Sequence, residues 1–289
     1  MIIDIQNQEP AEFQDRLILP IRYFQPARIP GQVMLLVIPS IELRKDYCVR
    51  EKEGSFERES VFFDDPVKMA RLWRLQNARS LHIEGHDTGN RCRRNVLRDL
   101  CSSVDIPVQL RGGMTSLKHV RSAFDAGIYR VVIEVYDERS RKLFQAAAEL
   151  YSCSRVIAGI HTTSDAHAET GTTVNMSVAI DIVKSPELSG CRRFMYSDES
   201  FDGSAGDRPT ARIREFCRPI RMAHVTVTDC ISGFDDLMTI AGLEEFGVDS
   251  AIIGRQLYEN CFPCQQSWCW NHKEELDLSR VSTAQLQKH

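Results

Sequence analysis

Glu42, in the segment VIPSIELRKD, and His161, in VIAGIHTTSD, each stand just past an apolar run. A carboxylate and an imidazole can pass a proton onto and off a substrate held between them. Unlike surroundings at one shared site separate their pKa values, as an acid and a base require. Further titratable groups stand at comparable places: Glu84 and His86 in LHIEGHD, Glu134 in VVIEV, Asp198 in MYSDES and Asp229 in TVTDC. Taken singly, each is equally well explained as a solvated or salt-bridged group at the end of a strand. Mixed carboxylate and imidazole sets also suit a divalent cation. Glu42, Glu84, His86, Glu134 and His161 therefore support a second reading, a site refitted around a metal for another reaction.

Two glycine positions bear on anion binding. VQLRGGMTS ends an apolar run with Gly112 and Gly113 and opens into a segment of helical spacing, while IIGRQLYEN places Gly254 and Arg255 after the last such run. A glycine turn before a helix lets backbone amides approach a phosphate, to which the helix start adds positive potential. Arg111 and Arg255 supply guanidinium groups of the right geometry beside those turns. The alternative at each position is a plain loop glycine. Near the carboxyl end, Cys261, Cys264, Cys269 and His272 follow a C-x2-C-x4-C-x2-H spacing, which suits a closed, structural zinc site; free cysteines are the alternative.

These residues need elements to position them. Short apolar or β-branched runs recur near 33–41, 80–84, 106–110, 130–135, 155–160, 193–197, 223–228 and 250–253, mostly separated by stretches of helical period such as DPVKMARLWRLQNA and SRKLFQAAAELY. Eight strands alternating with helices predict an α/β fold, a (β/α)8 TIM barrel whose working face lies at the carboxyl ends of the strands. An internal match supports two similar half-barrels. Ile38, Ile41 and Asp46 overlay Ile157, Ile160 and Asp165, and GIYRVVIE overlays GVDSAIIG, both at a shift of about 120 residues. That shift makes Glu42 and His161 equivalent positions across the barrel. The expected organisation is an extension over 1–32, rich in proline and without periodicity, a barrel over 33–262 and a tail over 263–289.

With 289 residues, 43% of them hydrophobic, the chain is long enough for a full core, and a formal net charge of −4 offers no global attraction to nucleic acid or to anionic membranes. Its longest purely apolar run, VMLLVI, is far below the roughly 20 residues of a membrane helix, so neither a membrane nor a nucleic acid is expected as partner. Ten cysteines without a secretory pattern read as reduced core residues of a cytoplasmic protein.

The segments VIPSIELRKDYCVR, DDPVKMARLW, IPVQLRGGMTSLKHVRSAFDAGIYRVVI, YSDESFDGS and GVDSAIIGRQLYE, in that order, resemble the histidine-biosynthesis barrel family. That family comprises the phosphoribosylformimino-aminoimidazole-carboxamide ribotide isomerase and its sister, the cyclase subunit of imidazole glycerol phosphate synthase. The likeness covers roughly residues 33–262 and lies nearer the isomerase. It implies a half-barrel duplication, a two-phosphate ligand gripped at opposite sides of the mouth, and two aspartates acting as acid and base in an Amadori aldose–ketose rearrangement that needs no cofactor. The family's aspartates fall on Glu42 and His161. Its first phosphate grip keeps Gly112 and Gly113 but has Glu134 in place of the fourth-strand glycine. The second grip keeps Gly254 but has Asp229-Cys230 in place of a glycine pair. The loop holding Asp198 corresponds to one that helps bind ligand. The expected function is thus an isomerase-like barrel with altered catalytic residues, acting on a phosphorylated small molecule. The alternative is a repurposed or non-catalytic barrel that binds another ligand or a divalent metal. No sequence feature specifies the oligomeric state.

Overall fold

The computed structural model describes residues 2–4, 34–44, 47–50, 60–63, 65–85, 91–163, 172–199 and 208–258. Eight parallel strands form a closed barrel: β2 (Met34–Arg44), β5 (Leu81–Gly85), β6 (Val108–Arg111), β7 (Arg130–Glu134), β8 (Val156–Thr162), β10 (Arg193–Asp198), β11 (His224–Val227) and β12 (Val248–Ile253). Each pairs with the next, and β12 pairs with β2 through Ile252 and Ile38 to close the ring. Outside the ring, β1 (Ile2–Asp4) runs antiparallel to the start of β2, so part of the amino-terminal segment is a strand despite its lack of periodicity. β3 (Tyr47–Arg50) and β4 (Ser60–Phe63) extend the end of β2 as an antiparallel ribbon, and β9 (Thr173–Val174) pairs with the end of β8.

Helices follow the barrel strands: α1 (Pro66–Leu75), α2 (Arg91–Ser103), α3 (Leu117–Asp125), α4 (Glu138–Tyr151), α5 (Met176–Val183), α6 (Arg208–Cys217), α7 (Phe234–Ala241) and α8 (Arg255–Tyr258). Their starts are locally encoded. The Asp65 side chain accepts from the Val67 and Lys68 amides just before Pro66, and Ser116 and Asn175 cap α3 and α5 in the same way. Asp137 and Ser140 form a reciprocal capping box on α4. Each cap satisfies amides that a helix leaves without internal partners. None of these helices is long and apolar enough to cross a membrane.

Strand alternation sorts the core into two compartments. On β2, Val37, Ile41 and Leu43 face the helices and join the large outer core, while Ile38 faces inward and meets Val132, Ile157, Met195 and Ile252 inside the ring. This inner apolar layer plugs the middle of the barrel. Further along, the same alternation carries Glu42, four residues past Ile38, and Glu134, two past Val132, inward at the mouth above it. At the opposite end Arg193 reaches Asp249 through two contacts of 2.5 and 2.7 Å and also donates to the Thr226 and Ser250 hydroxyls.

Candidate active site

Strand register assembles the mouth. Glu42 lies level with Glu84 on β5, Glu84 with Arg111 on β6, and His161 on β8 with Ser197 on β10. Glu134 on β7 lies level with Gly159, and that glycine makes the room. A β-carbon there would stand 2.8 Å from Val132 Cγ1 and 2.9 Å from Glu134 Oε2. Glu42 and His161 stand on the first and fifth strands of the ring, across the mouth from one another. Glu42 sits beside the turn after β12, because a β-carbon on Gly254 would lie 3.4 Å from its Oε1.

Arg111 forms the centre of this arrangement. Its Nε donates to Glu134 Oε1 at 2.8 Å, and its Nη1 lies 3.5 Å from Glu84 Oε2 and 3.6 Å from Asp229 Oδ2. Its Nη2 contacts both nitrogens of the His161 ring, Nε2 and, at 3.0 Å, Nδ1, and the Ser197 hydroxyl also contacts Nδ1. Glu134 closes the circle, with Oε2 2.7 Å from His161 Nε2. Beneath it, the buried His82 bridges Glu84 at 3.2 Å and Gln109 at 3.1 Å.

The electrostatics follow from this packing. Burial works against a charged Glu134, but His161 and then Arg111 outweigh it and bring its pKa down to about 2. Burial also opposes charge on Glu84, yet Arg111 and His82 leave it below the ordinary carboxylate value. Burial disfavours the Arg111 cation, and the surrounding Glu84, Glu134 and Asp229 more than offset that, raising its pKa. The mouth is thus a set of ionised carboxylates gathered round one guanidinium. Glu134, which stands where the family resemblance implies a fourth-strand glycine, is an ionised carboxylate paired with Arg111 and His161.

Backbone geometry at the two turns differs. Gly112 (φ 96°) and Gly113 (φ 74°) both occupy the left-handed region, and Gly112 packs so closely on the end of β5 that a β-carbon would lie 2.0 Å from the Gly85 carbonyl oxygen. Only glycine satisfies both conditions there. At the end of β11, Asp229 adopts φ 64°, a glycine-like conformation held by a residue with a side chain.

Asp198 requires a correction. Expected to meet ligand, it is 4% exposed and ion-paired to Arg212 of α6, with the Tyr196 hydroxyl donating to its Oδ2 at 3.3 Å. Alternation is the reason: Asp198 and Tyr196 share the helix-facing side of β10, and Ser197 between them faces the mouth. The Arg111 guanidinium, expected beside the glycine turn for an anion, is here engaged by carboxylates across the mouth. Ser197, His82 and Gln109 were missed, although each was within reach: His82 and Gln109 stand two residues before Glu84 and Arg111 on the same strand faces. His86 and the cysteine and histidine set Cys261, Cys264, Cys269 and His272 lie outside the described residues, as does the Arg255 side chain. Among the described residues no His, Cys, Asp and Glu group is arranged to hold a metal ion.

Comparison with known proteins agrees with the geometry. The family model described as histidine biosynthesis protein matches residues 36–263. A protein of Salinibacter ruber is 39% identical over 257 residues, covering 88% of this chain and 100% of its own length. It is named 1-(5-phosphoribosyl)-5-((5-phosphoribosylamino)methylideneamino)imidazole-4-carboxamide isomerase. Proteins bearing the same name in Pelodictyon phaeoclathratiforme and Prosthecochloris aestuarii are 34% and 32% identical, covering 86% and 84% of this chain and 99% and 94% of their own lengths.

Proposed function

Since the chain belongs to the histidine-biosynthesis protein family, we propose that it is an isomerase that converts a phosphorylated aminoaldose ribotide to its aminoketose, with His161 and Glu42 as acid and base. The observation that carries this reading is the placement of these two titratable side chains on opposite strands of one mouth. The relatives' shared name supports it.

In the proposed reaction His161 gives a proton to the ring oxygen. The C1–O bond breaks as the attached nitrogen's electron pair forms a C1=N double bond. Glu42 then removes the C2 proton, those electrons form the C1=C2 bond of the enol as the C1=N pair returns to nitrogen, and the ketose results when C1 takes up a proton and the C2 hydroxyl gives one up. No oxidant or cofactor enters this balance. Glu134 Oε2, 2.7 Å from His161 Nε2, holds the ring in place across from Glu42. Glu42 keeps a carboxylate where the family resemblance implies one, on an arm longer by a methylene. Gly112 and Gly113 on one side, and Gly254 on the other, supply turns at which amides can meet the phosphates.

Turnover of the histidine-pathway ribotide by purified protein tests this. Glu42→Gln and His161→Ala should each lower kcat at least about 100-fold, the scale of a single general acid or base. Turnover that survives both substitutions would refute the assignment. No turnover by the folded wild type would refute the isomerase reading itself.

A second reading has its own support in the carboxylates gathered at the mouth. Glu84, Glu134 and Asp229 face a single guanidinium, an excess of negative charge that suits a less anionic ligand than a two-phosphate ribotide. In that reading the barrel has been repurposed.

A further inference from the structure

Arg111 belongs to the third strand of the ring, yet its guanidinium touches groups from the second (Glu84), the fourth (Glu134), the fifth (His161) and the turn after the seventh (Asp229). The third and seventh strands lie opposite one another in an eight-stranded barrel. The side chain therefore spans the opening between the Gly112–Gly113 turn and the far side of the mouth. This is the path that any ligand held at both sides must take. Arg111 carries donors only, so a His161 nitrogen facing it has to accept and offers no proton in that direction.

We propose that Arg111 is an intramolecular latch that closes the mouth when no ligand is bound, and that an anionic ligand enters only by breaking its hold on Asp229 and His161. The proposal rests on the reading of this mouth as a phosphate-ligand site and adds a regulatory step to it. Asp229 is the anchor to break first. Its side chain is 58% exposed and its contact, at 3.6 Å, is the longest of the set, whereas Glu134 is held at 2.8 Å and largely buried. While latched, the mouth presents its carboxylates already paired, and the ligand must compete with them for the guanidinium. Apparent affinity is then reduced by the fraction of molecules in the open state. Release withdraws the guanidinium from His161 and leaves that imidazole with Glu134 and Ser197, the partners that suit an acid.

A coupling measurement decides between a latch and simple repulsion of phosphate by Asp229. Binding of inorganic phosphate and of ribose 5-phosphate is measured by calorimetry on the full chain, for wild type, Asp229→Asn, Arg111→Gly and the double variant. Asparagine keeps the left-handed turn and the side-chain size. If the latch operates, Asp229→Asn tightens binding on the order of tenfold when Arg111 is present, the size of one charged contact, and by less than about threefold when residue 111 is glycine. An equal gain in both backgrounds, no gain, or no phosphate binding by any variant would overturn the proposal. Should Arg111→Gly fail to melt cooperatively, Arg111→Lys takes its place: it keeps the charge but loses the fork, and the gain must shrink there too. Ribotide turnover measured beside these separates the two readings. Coupling without turnover removes the isomerase and keeps the latch, and turnover without coupling does the reverse.

Discussion

Replacing Arg111 by methionine removes the guanidinium from the carboxylates at the barrel mouth while keeping an unbranched side chain of similar length. The Arg111 side chain is 13% exposed, and its partners Glu84 and Glu134 are 23% and 21% exposed. Removing one member of a buried ion pair costs about 3–5 kcal/mol, because the remaining charge is left without compensation. Here His82 and His161 still contact the two carboxylates and some of their surface meets water, so the lower end applies, about 3 kcal/mol at neutral pH. The pH dependence has a definite sign. In the wild type the Glu134 pKa is depressed to about 2, so its contribution is fully present above the ordinary value of 4.5 and is lost as pH falls toward 2. Without the guanidinium, burial is offset only by the remaining His161 and His82 contacts, so both carboxylates protonate more readily than in the wild type and protonation begins to relieve the variant at a higher pH. The stability gap should therefore be widest near pH 7 and narrow on acidification toward pH 4. Urea unfolding of both proteins at pH 7, 5.5 and 4, followed by tryptophan fluorescence, measures it. Trp73 is buried in the outer core and reports on unfolding. A gap below about 1 kcal/mol at pH 7, or one that does not change with pH, would refute the view of Arg111 as the charge that holds the mouth together.

Gly112→Ala should lower stability by about 3 kcal/mol, since its φ of 96° and a β-carbon 2.0 Å from the Gly85 carbonyl oxygen force backbone to move; thermal melting reads this, and a Tm within a degree of wild type would contradict it. At the opposite end of the barrel, Arg193→Ala should cost about 2 kcal/mol above pH 5, because Asp249 then keeps only His224 and Ser250 as partners. Burial opposes charge on Asp249, but Arg193 holds its pKa below the ordinary value. That contribution is present above pH 4 and lost on further acidification, so urea midpoints of the variant and wild type should converge in acid.

Much of the barrel was legible because it is encoded locally. The apolar run at 155–160 became β8 (Val156–Thr162), and DPVKMARLWRLQNA contains α1 with its Asp65 cap and Pro66 at the first turn. Glu42 and His161 could be placed at the mouth because a strand in such a barrel ends at its working face. Asp198 and Ser197 mark where that reasoning stops. They are neighbours at the end of β10, and a shift of one residue in phase decides which of them enters the mouth. The apolar run fixes the strand but leaves its phase open when residues on both faces are buried. Tyr196 and Met195, at 0% and 2% exposure on opposite faces, look alike in the sequence.

By itself the sequence determined the class of fold, the order of strands and helices, the carboxyl-end location of the site and the family resemblance. All of these rest on periodicity, capping and short motifs within contiguous segments. Tertiary structure alone decided the state of the mouth. Arg111, Glu84, Glu134, His161 and Asp229 come from five separate strands or turns, and no spacing along the chain reveals that one guanidinium would reach them all. Whether Glu134 stands as a bare charge or a paired one depends on Coulomb interactions over about 3 Å, and those distances are set by barrel closure and strand register.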